Sequence, residues 1–298
     1  MCKVNYAAID IGSNAARLLI KSVSDEGVME KQQLVRVPLR LGFDVFADGK
    51  ISDSKSKKLI RLMKSFYHLM RIYDVKYYRA CATSAMRDAQ NSASLIKKVE
   101  ESTKIKIDLI SGMEEAKIIY GNHIECQKNK KGSFIYVDVG GGSTEINLLH
   151  KGKLSYSMSY DIGTVRILSG AVKQETWDKL KQDLKRISKG IDTINIVGSG
   201  GNINRLYKLS PRKNIKNQTM PITSLEELYE ELKKYDSSQL QELYKLKADR
   251  ADVIVPAAKI FMTVSSAVHS QYVHVPVLGL TDGIIDEMYL NPSKEYLF

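Results

Sequence analysis

Two segments of the sequence place an aspartate shortly before a turn of small residues. Asp10 lies two residues before Gly12-Ser13-Asn14 (the first glycine turn), and Asp138 lies two residues before Gly140–Thr144 (the second glycine turn). Turns of Gly, Ser and Thr let the backbone approach a ligand closely and direct several N–H groups at one point, which suits phosphate. The predicted phosphate-binding residues are therefore Gly12, Ser13, Asn14, Gly140, Gly141, Gly142, Ser143 and Thr144.

The first turn could instead be an ordinary type I′ hairpin turn in which Asp10 only caps the turn, and the second could be a floppy hairpin without a ligand. The repetition favours the ligand-binding interpretation, because two unrelated hairpins need not share both the aspartate and the small residues. The three glycines at 140–142 are also conformationally costly, at about 0.5–1 kcal/mol each relative to Ala in regular structure. On chemistry alone, Asp10 can reach a phosphate bound at the first turn through Mg²⁺ or water.

Composition limits the function classes. The chain has 298 residues, 43% of them hydrophobic, so it can bury a sizeable core and is expected to form two domains. Its net charge of +11 favours anionic partners such as a polyphosphate or a nucleotide. Zinc-finger, RNP and basic-zipper patterns are not found, so we expect no nucleic-acid partner. With neither a signal-peptide pattern nor an expected membrane partner, the predicted location is the cytoplasm.

Apolar periodicity predicts a mixed α/β chain with a β-meander around each glycine turn. A helix whose apolar residues recur at three and four positions is expected after a cap at Ser52 or Asp53. Another strand is predicted at 105–110. The strands predicted around the two turns are 6–11, 17–23, 34–41, 134–139, 145–149 and 153–160.

Several segments together resemble the exopolyphosphatase and guanosine-pentaphosphate phosphohydrolase (Ppx/GppA) family, in the actin/Hsp70/sugar-kinase superfamily. The resemblance implies an α/β fold of two actin-like (ribonuclease H-like) lobes around a central cleft. The expected lobes are residues 1–128, with helix 282–298 as a candidate addition, and residues 129–281. The matching segments occur in family order over nearly the whole chain, at 8–14, 82–89, 110–116, 137–145, 197–202 and 250–254.

The resemblance also implies a Mg²⁺ cofactor and its ligands. Asp138 is the first candidate ligand, and Glu145, directly after the second glycine turn, is implied as another. Asp10 is the candidate ligand beside the first turn. Carboxylate oxygens are the donors that Mg²⁺ prefers.

Attack on a phosphoanhydride needs a base that orients and deprotonates a water molecule. By resemblance, Glu115 is that base, whereas its neighbour Glu114 is more simply explained as an acidic residue at a helix N-terminus. Arg87 is predicted to clamp phosphate oxygens, with an ordinary surface arginine as the alternative. Arg17, just past the first turn, is a weaker candidate for the same task.

A third turn of small residues, Gly198–Asn202 (the third glycine turn), matches the segment that contacts adenosine in related ATPases. Its use here is open, because a polyphosphate has no base, and it could simply pack a helix against a strand. The family often has Thr where this chain has Asn202. Many family members continue into a helical HD-type domain, so a chain ending at Phe298 is expected to be a two-lobe form that favours shorter polyphosphates.

The resemblance thus implies a Mg²⁺-dependent exopolyphosphatase that releases terminal orthophosphate from polyphosphate. Conversion of guanosine pentaphosphate (pppGpp) to the tetraphosphate (ppGpp) is a second expected reaction. Two alternatives stay open: a non-hydrolytic sensor of (p)ppGpp or another nucleotide, and a polyphosphate-dependent phosphotransferase. A homodimer is the family expectation.

Overall fold

The structure is a computed structural model that describes residues 3–127, 132–276 and 278–298. The chain divides into two compact units. Unit 1 comprises Met1–Asn122 and Leu280–Phe298, and unit 2 comprises His123–Gly279. The lobe boundary predicted between residues 128 and 129 lies outside the described residues.

Unit 1 is built on a sheet of five strands in its described part, in the spatial order β3-β2-β1-β4-β5. The first three strands form an antiparallel meander, and β4 and β5 run parallel to β1. The strands are β1 (Val4–Ile11), β2 (Ala16–Val23), β3 (Met29–Val37), β4 (Val75–Ala82) and β5 (Asp108–Leu109). The helices that precede the strands of unit 2 in the chain are α1 (Leu41–Asp48), α2 (Asp53–Ile72), α3 (Ser84–Asp88), α4 (Ser92–Thr103) and α5 (Gly112–Gln127).

Unit 2 carries six strands among its described residues, in the order β10-β11-β9-β6-β7-β8. Its strands are β6 (Ser133–Val139), β7 (Thr144–His150), β8 (Lys153–Tyr160), β9 (Ile194–Ser199), β10 (Thr219–Pro221) and β11 (Tyr272–His274). Its helices are α6 (Thr164–Leu168), α7 (Gln174–Ser188), α8 (Gly201–Leu209), α9 (Ile222–Leu232), α10 (Ser237–Tyr244), α11 (Ala248–Ala251) and α12 (Ile254–Val268). The last helix, α13 (Leu280–Leu290), belongs to unit 1.

The five-stranded sheet of unit 1 is repeated in unit 2, where β10 is an additional antiparallel edge strand. Strands β6–β8 repeat the meander of β1–β3, and β9 and β11 run parallel to β6 as β4 and β5 run parallel to β1. The glycine turns join the equivalent strand pairs β1–β2 and β6–β7. The predicted α/β class and the duplication of the strand–turn–strand unit are therefore confirmed.

Side-chain alternation along β1 and β6 determines where the two aspartates point. Ile9 and Ile11 of β1 are fully buried in one core of unit 1, whereas Ala8 belongs to a second core that includes residues of α13. Because alternate residues of a strand face opposite sides, Asp10 lies on the α13 side. In β6, Val137 and Val139 are buried in the main core of unit 2, so Asp138 faces the other side of that sheet.

Two sequence predictions of local structure are wrong. The third strand ends at Val37 rather than reaching Leu41, and Leu41 instead begins α1. Arg40, directly before α1, has a φ of 55°, a left-handed conformation that ends extended structure. The predicted strand at 105–110 is reduced to the two residues of β5. The helix cap is confirmed, because Ser52 accepts a hydrogen bond from the backbone N–H of Lys55 at the start of α2.

One helical stretch of the described chain passes a length-and-composition test for a membrane span. It covers Ala248–Val268, with a mean hydropathy of 1.5, and 61% of its apolar window is buried within the protein. The core helix of a soluble protein passes the same test. Here the stretch includes α12, whose buried residues lie in the core of unit 2.

Candidate active site

Three successive carbonyl groups of the second glycine turn accept hydrogen bonds from the start of α6. A planar trans peptide points its C=O and its N–H to opposite sides. The N–H groups of residues 141, 142 and 143 are therefore directed away from α6, an arrangement of successive N–H groups that suits an anion. The bonds are Thr164 N to Gly140 O (3.0 Å), Val165 N to Gly141 O (2.8 Å), Arg166 N to Gly141 O (3.0 Å) and Arg166 Nε to Gly142 O (2.8 Å).

Gly163, the residue before α6, packs directly on the second glycine turn. A Cβ at this position would lie 2.4 Å from the backbone N and C atoms of Gly142, so no side chain fits. Its φ of −139° is ordinary extended backbone, and close approach is therefore the reason for glycine here. Sequence reasoning missed both Gly163 and Arg166, because their partners lie more than twenty residues earlier in the chain.

The turn itself differs in two ways from its sequence-based description. None of the residues of either predicted phosphate turn has a positive φ, so the type I′ alternative is wrong. Thr144 is fully buried, and its hydroxyl donates to the carbonyl of Ile162 at 2.5 Å. The Thr144 side chain thus holds the turn in place rather than reaching a ligand, which differs from its predicted role.

Two carboxylates lie side by side next to the second glycine turn. Asp138 on β6 is directly opposite Glu145 on β7, so both side chains lie on one face with Cβ atoms about 5 Å apart. Ser199 on β9 donates its hydroxyl to Asp138 Oδ2, and Ser159 on β8 donates to Glu145 Oε1 at 2.8 Å. A polar row therefore crosses four strands of the sheet.

This donor set fits Mg²⁺. Like charges directly opposite each other on a sheet are destabilising, and a cation between Asp138 and Glu145 would relieve that repulsion. Mg²⁺ is usually held by only one or two carboxylates, together with water and substrate phosphate oxygens. Among the described residues, no group of three or more His, Cys, Asp or Glu side chains is arranged to hold a metal ion.

The first glycine turn has a different charge arrangement. Arg17 lies opposite Asp10, and its Nη1 donates to Asp10 Oδ2 at 2.7 Å. Burial raises the pKa of Asp10, and the Arg17 guanidinium works in the opposite direction. Since a guanidinium already accompanies this carboxylate, the structure gives Asp10 an ion-pair partner where the sequence predicted a metal ligand.

Hydrogen bonds also fix the backbone of the first turn. The Ser13 hydroxyl accepts from a backbone N–H just before Arg87, and the carbonyls of Ser13 and Asn14 accept from the start of α1. These carbonyls are therefore turned away from any ligand, as in the second turn. The bonds are Ala85 N to Ser13 Oγ (3.1 Å), Gly42 N to Ser13 O (2.8 Å) and Arg40 N to Asn14 O (2.9 Å).

The structure brings the two predicted catalytic residues together. Arg87 of α3 donates from Nη1 to Glu115 Oε2 at 2.9 Å and to the carbonyl of Ile110 at 3.0 Å. Glu115 lies in the first turn of α5 and is only 8% exposed. The Glu115 side chain is therefore held in one position by Arg87, and a carboxylate is a group that can accept a proton from water.

Glu114 has its own arginine. Arg79 of β4 bonds Glu114 Oε1 at 2.7 Å, and the same guanidinium also contacts Asp108 and Glu287. The backbone N–H of Glu114 donates to the Ser111 hydroxyl, so Ser111 caps α5. Two arginines therefore fix the start of the helix that carries Glu115.

Comparison with protein families decides what kind of protein this arrangement belongs to. Residues 25–292 match the model of the Ppx/GppA phosphatase family. The chain belongs to the Ppx/GppA family. The resemblance inferred from the six sequence segments is thus confirmed over most of the chain.

Curated relatives of this Ppx/GppA protein differ in length. It is 34% identical over 54% of its chain to a bifunctional 3-dehydroquinate synthase/phosphatase of Fusobacterium nucleatum, but spans only 25% of that protein. It is 22% identical over 96% of its chain to a putative exopolyphosphatase of Haemophilus influenzae, spanning 91% of it. It is 22% identical over 95% of its chain to a guanosine-5'-triphosphate,3'-diphosphate pyrophosphatase of Photobacterium profundum, spanning 59% of it.

Solved structures share the fold. The Aquifex aeolicus Ppx/GppA family member superposes with a TM-score of 0.76 at 23% identity, covering 98% of this chain and 100% of that one. An exopolyphosphatase from Cytophaga hutchinsonii gives a TM-score of 0.82 at 19% identity, covering 95% of this chain and 97% of that one. The two-sheet architecture is therefore that of the Ppx/GppA family.

Proposed function

We propose that this Ppx/GppA protein is a Mg²⁺-dependent phosphohydrolase that releases terminal orthophosphate from inorganic polyphosphate. The observation that carries the proposal is the second glycine turn, whose N–H groups face away from α6 beside the carboxylates of Asp138 and Glu145. The relative named exopolyphosphatase, which this chain matches over 91% of its length, supports polyphosphate as the substrate class.

The turn binds phosphate through its backbone. Three N–H groups fixed in direction by α6 need no reorganisation when an anion arrives, so they stabilise charge better than mobile donors in water. The net charge of +11 adds a long-range attraction for a polyanion. Backbone N–H groups arranged in this way recognise the phosphate group of a substrate and make no contact with a base or a sugar.

Asp138 and Glu145 would hold Mg²⁺. When bound, the ion neutralises charge on the phosphoryl group and helps to orient it. Ser199 and Ser159 fix the two carboxylates by hydrogen bonds from the side of the neighbouring strands. We leave Asp10 out of this ligand set, because Arg17 lies 2.7 Å from it and would repel a second cation.

Glu115 supplies the base. Its carboxylate orients the attacking water and accepts a proton as the water oxygen bonds to the terminal phosphorus. The bond from that phosphorus to the bridging oxygen breaks in the same displacement, and the shortened polyphosphate leaves with the bridging oxygen. Arg87 keeps that carboxylate oriented through its hydrogen bond. The proton ends on Glu115 and is then released to solvent with the orthophosphate product.

Guanosine pentaphosphate is a second candidate substrate. The relative from Photobacterium profundum, named for that nucleotide, matches 95% of this chain. A site that reads phosphate through backbone N–H groups accepts any exposed terminal phosphate, so both substrates fit the same chemistry.

The first experiment measures phosphate release from polyphosphate with and without Mg²⁺, for the wild type, Glu115→Gln and Glu114→Gln. The Gln substitutions keep side-chain size and remove one charge each. We expect Mg²⁺-dependent release that falls by at least about 100-fold in Glu115→Gln and changes little in Glu114→Gln.

Other results would redirect the proposal. Tight binding of (p)ppGpp without phosphate release would indicate a sensor, and formation of ATP from polyphosphate and ADP would indicate a phosphotransferase. Preference for short polyphosphates stays a prediction, and turnover on chains of a few and of hundreds of phosphates tests it.

A further inference from the structure

The third glycine turn (Gly198–Asn202) lies beside the residues that lead into the second glycine turn. Strand β9 runs parallel to β6, and Ser199 at its end is in register with Asp138. Ser199 is only 2% exposed, and its hydroxyl donates to Asp138 Oδ2. The Ser199 side chain is thus directed at the Asp138 carboxylate and not at solvent.

The backbone of Gly200 packs closely against the same Asp138 carboxylate. A Cβ there would lie 3.2 Å from Asp138 Oδ1 and 3.4 Å from Oδ2, and the residue has a φ of +90°. Both the close approach and the positive φ require glycine. The backbone at Gly200 and the hydroxyl of Ser199 therefore fix the Asp138 carboxylate from one side.

Asn202 contacts Val139, the residue of β6 that follows Asp138. Its side chain, 7% exposed, donates from Nδ2 to the carbonyl of Val139 at 3.4 Å and accepts from Arg250 Nη1 at 2.9 Å. The Arg250 guanidinium also covers Gly201, where a Cβ would lie 2.5 Å from Nη2. The Arg250 guanidinium therefore packs on the third glycine turn at both Gly201 and Asn202.

We propose that the third glycine turn is a positioning element for the metal ligand Asp138, with Ser199 as its positioning residue. The inference rests on the proposed function, because it assigns the turn to the Mg²⁺ site of that function. The Ser199 hydroxyl fixes the rotation of the carboxylate, and the Asn202–Arg250 arm fixes the backbone between Asp138 and the second glycine turn. In this protein the turn therefore serves the proposed phosphate site by holding Asp138.

The test compares Ser199→Ala and Ser199→Cys with the wild type. The Cys variant keeps nearly the same volume but has only a weak donor. Ser157→Ala is the matched control, because Ser157 makes an equivalent cross-strand bond to Asn147 at 2.6 Å, two residues further along each strand from the second glycine turn than Ser159 and Glu145. Titration calorimetry with Mn²⁺, in the absence of substrate, measures cation binding directly. Steady-state kinetics with polyphosphate at saturating Mg²⁺ separates kcat from KM.

We expect Mn²⁺ to bind about 10- to 100-fold more weakly to both Ser199 variants, and as in the wild type to Ser157→Ala. At saturating Mg²⁺, kcat should fall while KM changes less than about threefold, because the phosphate-binding N–H groups are intact. If Ser199→Ala does not fold, Ser199→Cys alone decides.

Unchanged Mn²⁺ affinity in folded Ser199 variants of an active, cation-binding protein would overturn this inference alone. A wild type that neither binds the cation nor releases phosphate would overturn the proposed function, and the inference with it.

Discussion

Arg17 lies opposite Asp10 in the first hairpin, with 2.7 Å between Nη1 and Oδ2, whereas Glu145 occupies the equivalent position opposite Asp138 in the second hairpin. The duplicated strand–turn–strand unit thus carries one neutral pair and one doubly negative pair. The first pair is complete without a ligand. The second places two like formal charges opposite each other, which is unfavourable on a sheet. The two halves of the repeat have therefore diverged in the charge that they offer beside a phosphate turn.

Replacing Arg17 with Leu should destabilise the protein. Asp10 is 3% exposed, so the substitution leaves a buried carboxylate without its ion-pair partner. Breaking a fully buried pair costs about 3–5 kcal/mol, and we expect about 2–3 kcal/mol here because the Arg17 side chain is 29% exposed. Urea denaturation at pH 7 measures the loss. The double variant Asp10→Asn/Arg17→Leu should recover part of it, and an equal loss in both would contradict the pairing.

The same variant should show a defined pH dependence. Burial raises the pKa of folded Asp10 above its unfolded value, so its protonation favours the folded state as pH falls. Removing Arg17 takes away an influence that lowers this pKa, and the variant therefore gains more stability on acidification than the wild type. The stability gap should shrink as pH is lowered from about 7 to 4. A gap that widens over this range would show that the sign is wrong.

The duplicated glycine turns were predictable because their signal is local. Even the Asp10–Arg17 pair could have been found from sequence, since both residues lie equally far from the centre of their turn and hairpin register places them opposite each other. The same symmetry relates Asp138 and Glu145. The alternation at 34–41, by contrast, misled because a left-handed residue at Arg40 starts a helix within an apolar pattern.

The support behind the second glycine turn was not predictable. Gly163 and Arg166 contact Gly142 only because the meander β6–β8 returns the chain to the turn. No periodicity or motif spacing records such a contact between distant segments. Likewise, the pairing of Arg87 with Glu115 depends on β4 lying beside β5, because α3 follows β4 and α5 follows β5, although both residues were singled out for their chemistry.

Adding a methyl group at Gly163 should displace the second glycine turn. The new Cβ would lie 2.4 Å from the backbone of Gly142, so the turn or α6 must move. We expect a stability loss of about 1–3 kcal/mol and a fall in kcat/KM of at least about 100-fold.

Gly121→Ala is the control, because nothing lies within 4 Å of a Cβ atom built at that position on α5. The control should keep its activity and gain about 0.5–1 kcal/mol of stability in thermal or urea unfolding. Full activity in folded Gly163→Ala would contradict this account of the turn.

Arg166 should act through the Gly142 carbonyl and not through its ion pair. The guanidinium is largely buried and bonds Gly142 O at 2.8 Å, whereas Asp161 is 74% exposed and lies 3.6 Å away. Arg166→Gln frees the Gly142–Ser143 peptide to rotate, and we expect kcat/KM for polyphosphate to fall by up to about 100-fold. Asp161→Asn, which removes only the exposed pair, should leave kcat/KM within about twofold. Similar losses in both variants would show that the ion pair and not the carbonyl contact matters.

The last prediction separates two roles for Arg87. If the arginine mainly holds Glu115, the effects of removing the two side chains overlap, because each deletes the same arrangement. Arg87→Met should then lower kcat by about 100-fold in the wild type but by less than about threefold in Glu115→Gln. If Arg87 also clamps phosphate, the second loss should be nearly as large as the first, and phosphate binding measured by calorimetry should weaken. Arg79→Met is the control, since it loosens the start of α5 at Glu114 without touching Glu115. We expect the overlapping result, because the guanidinium nitrogen Nη1 that bonds Glu115 also bonds the carbonyl of Ile110, which holds the Arg87 side chain against the base.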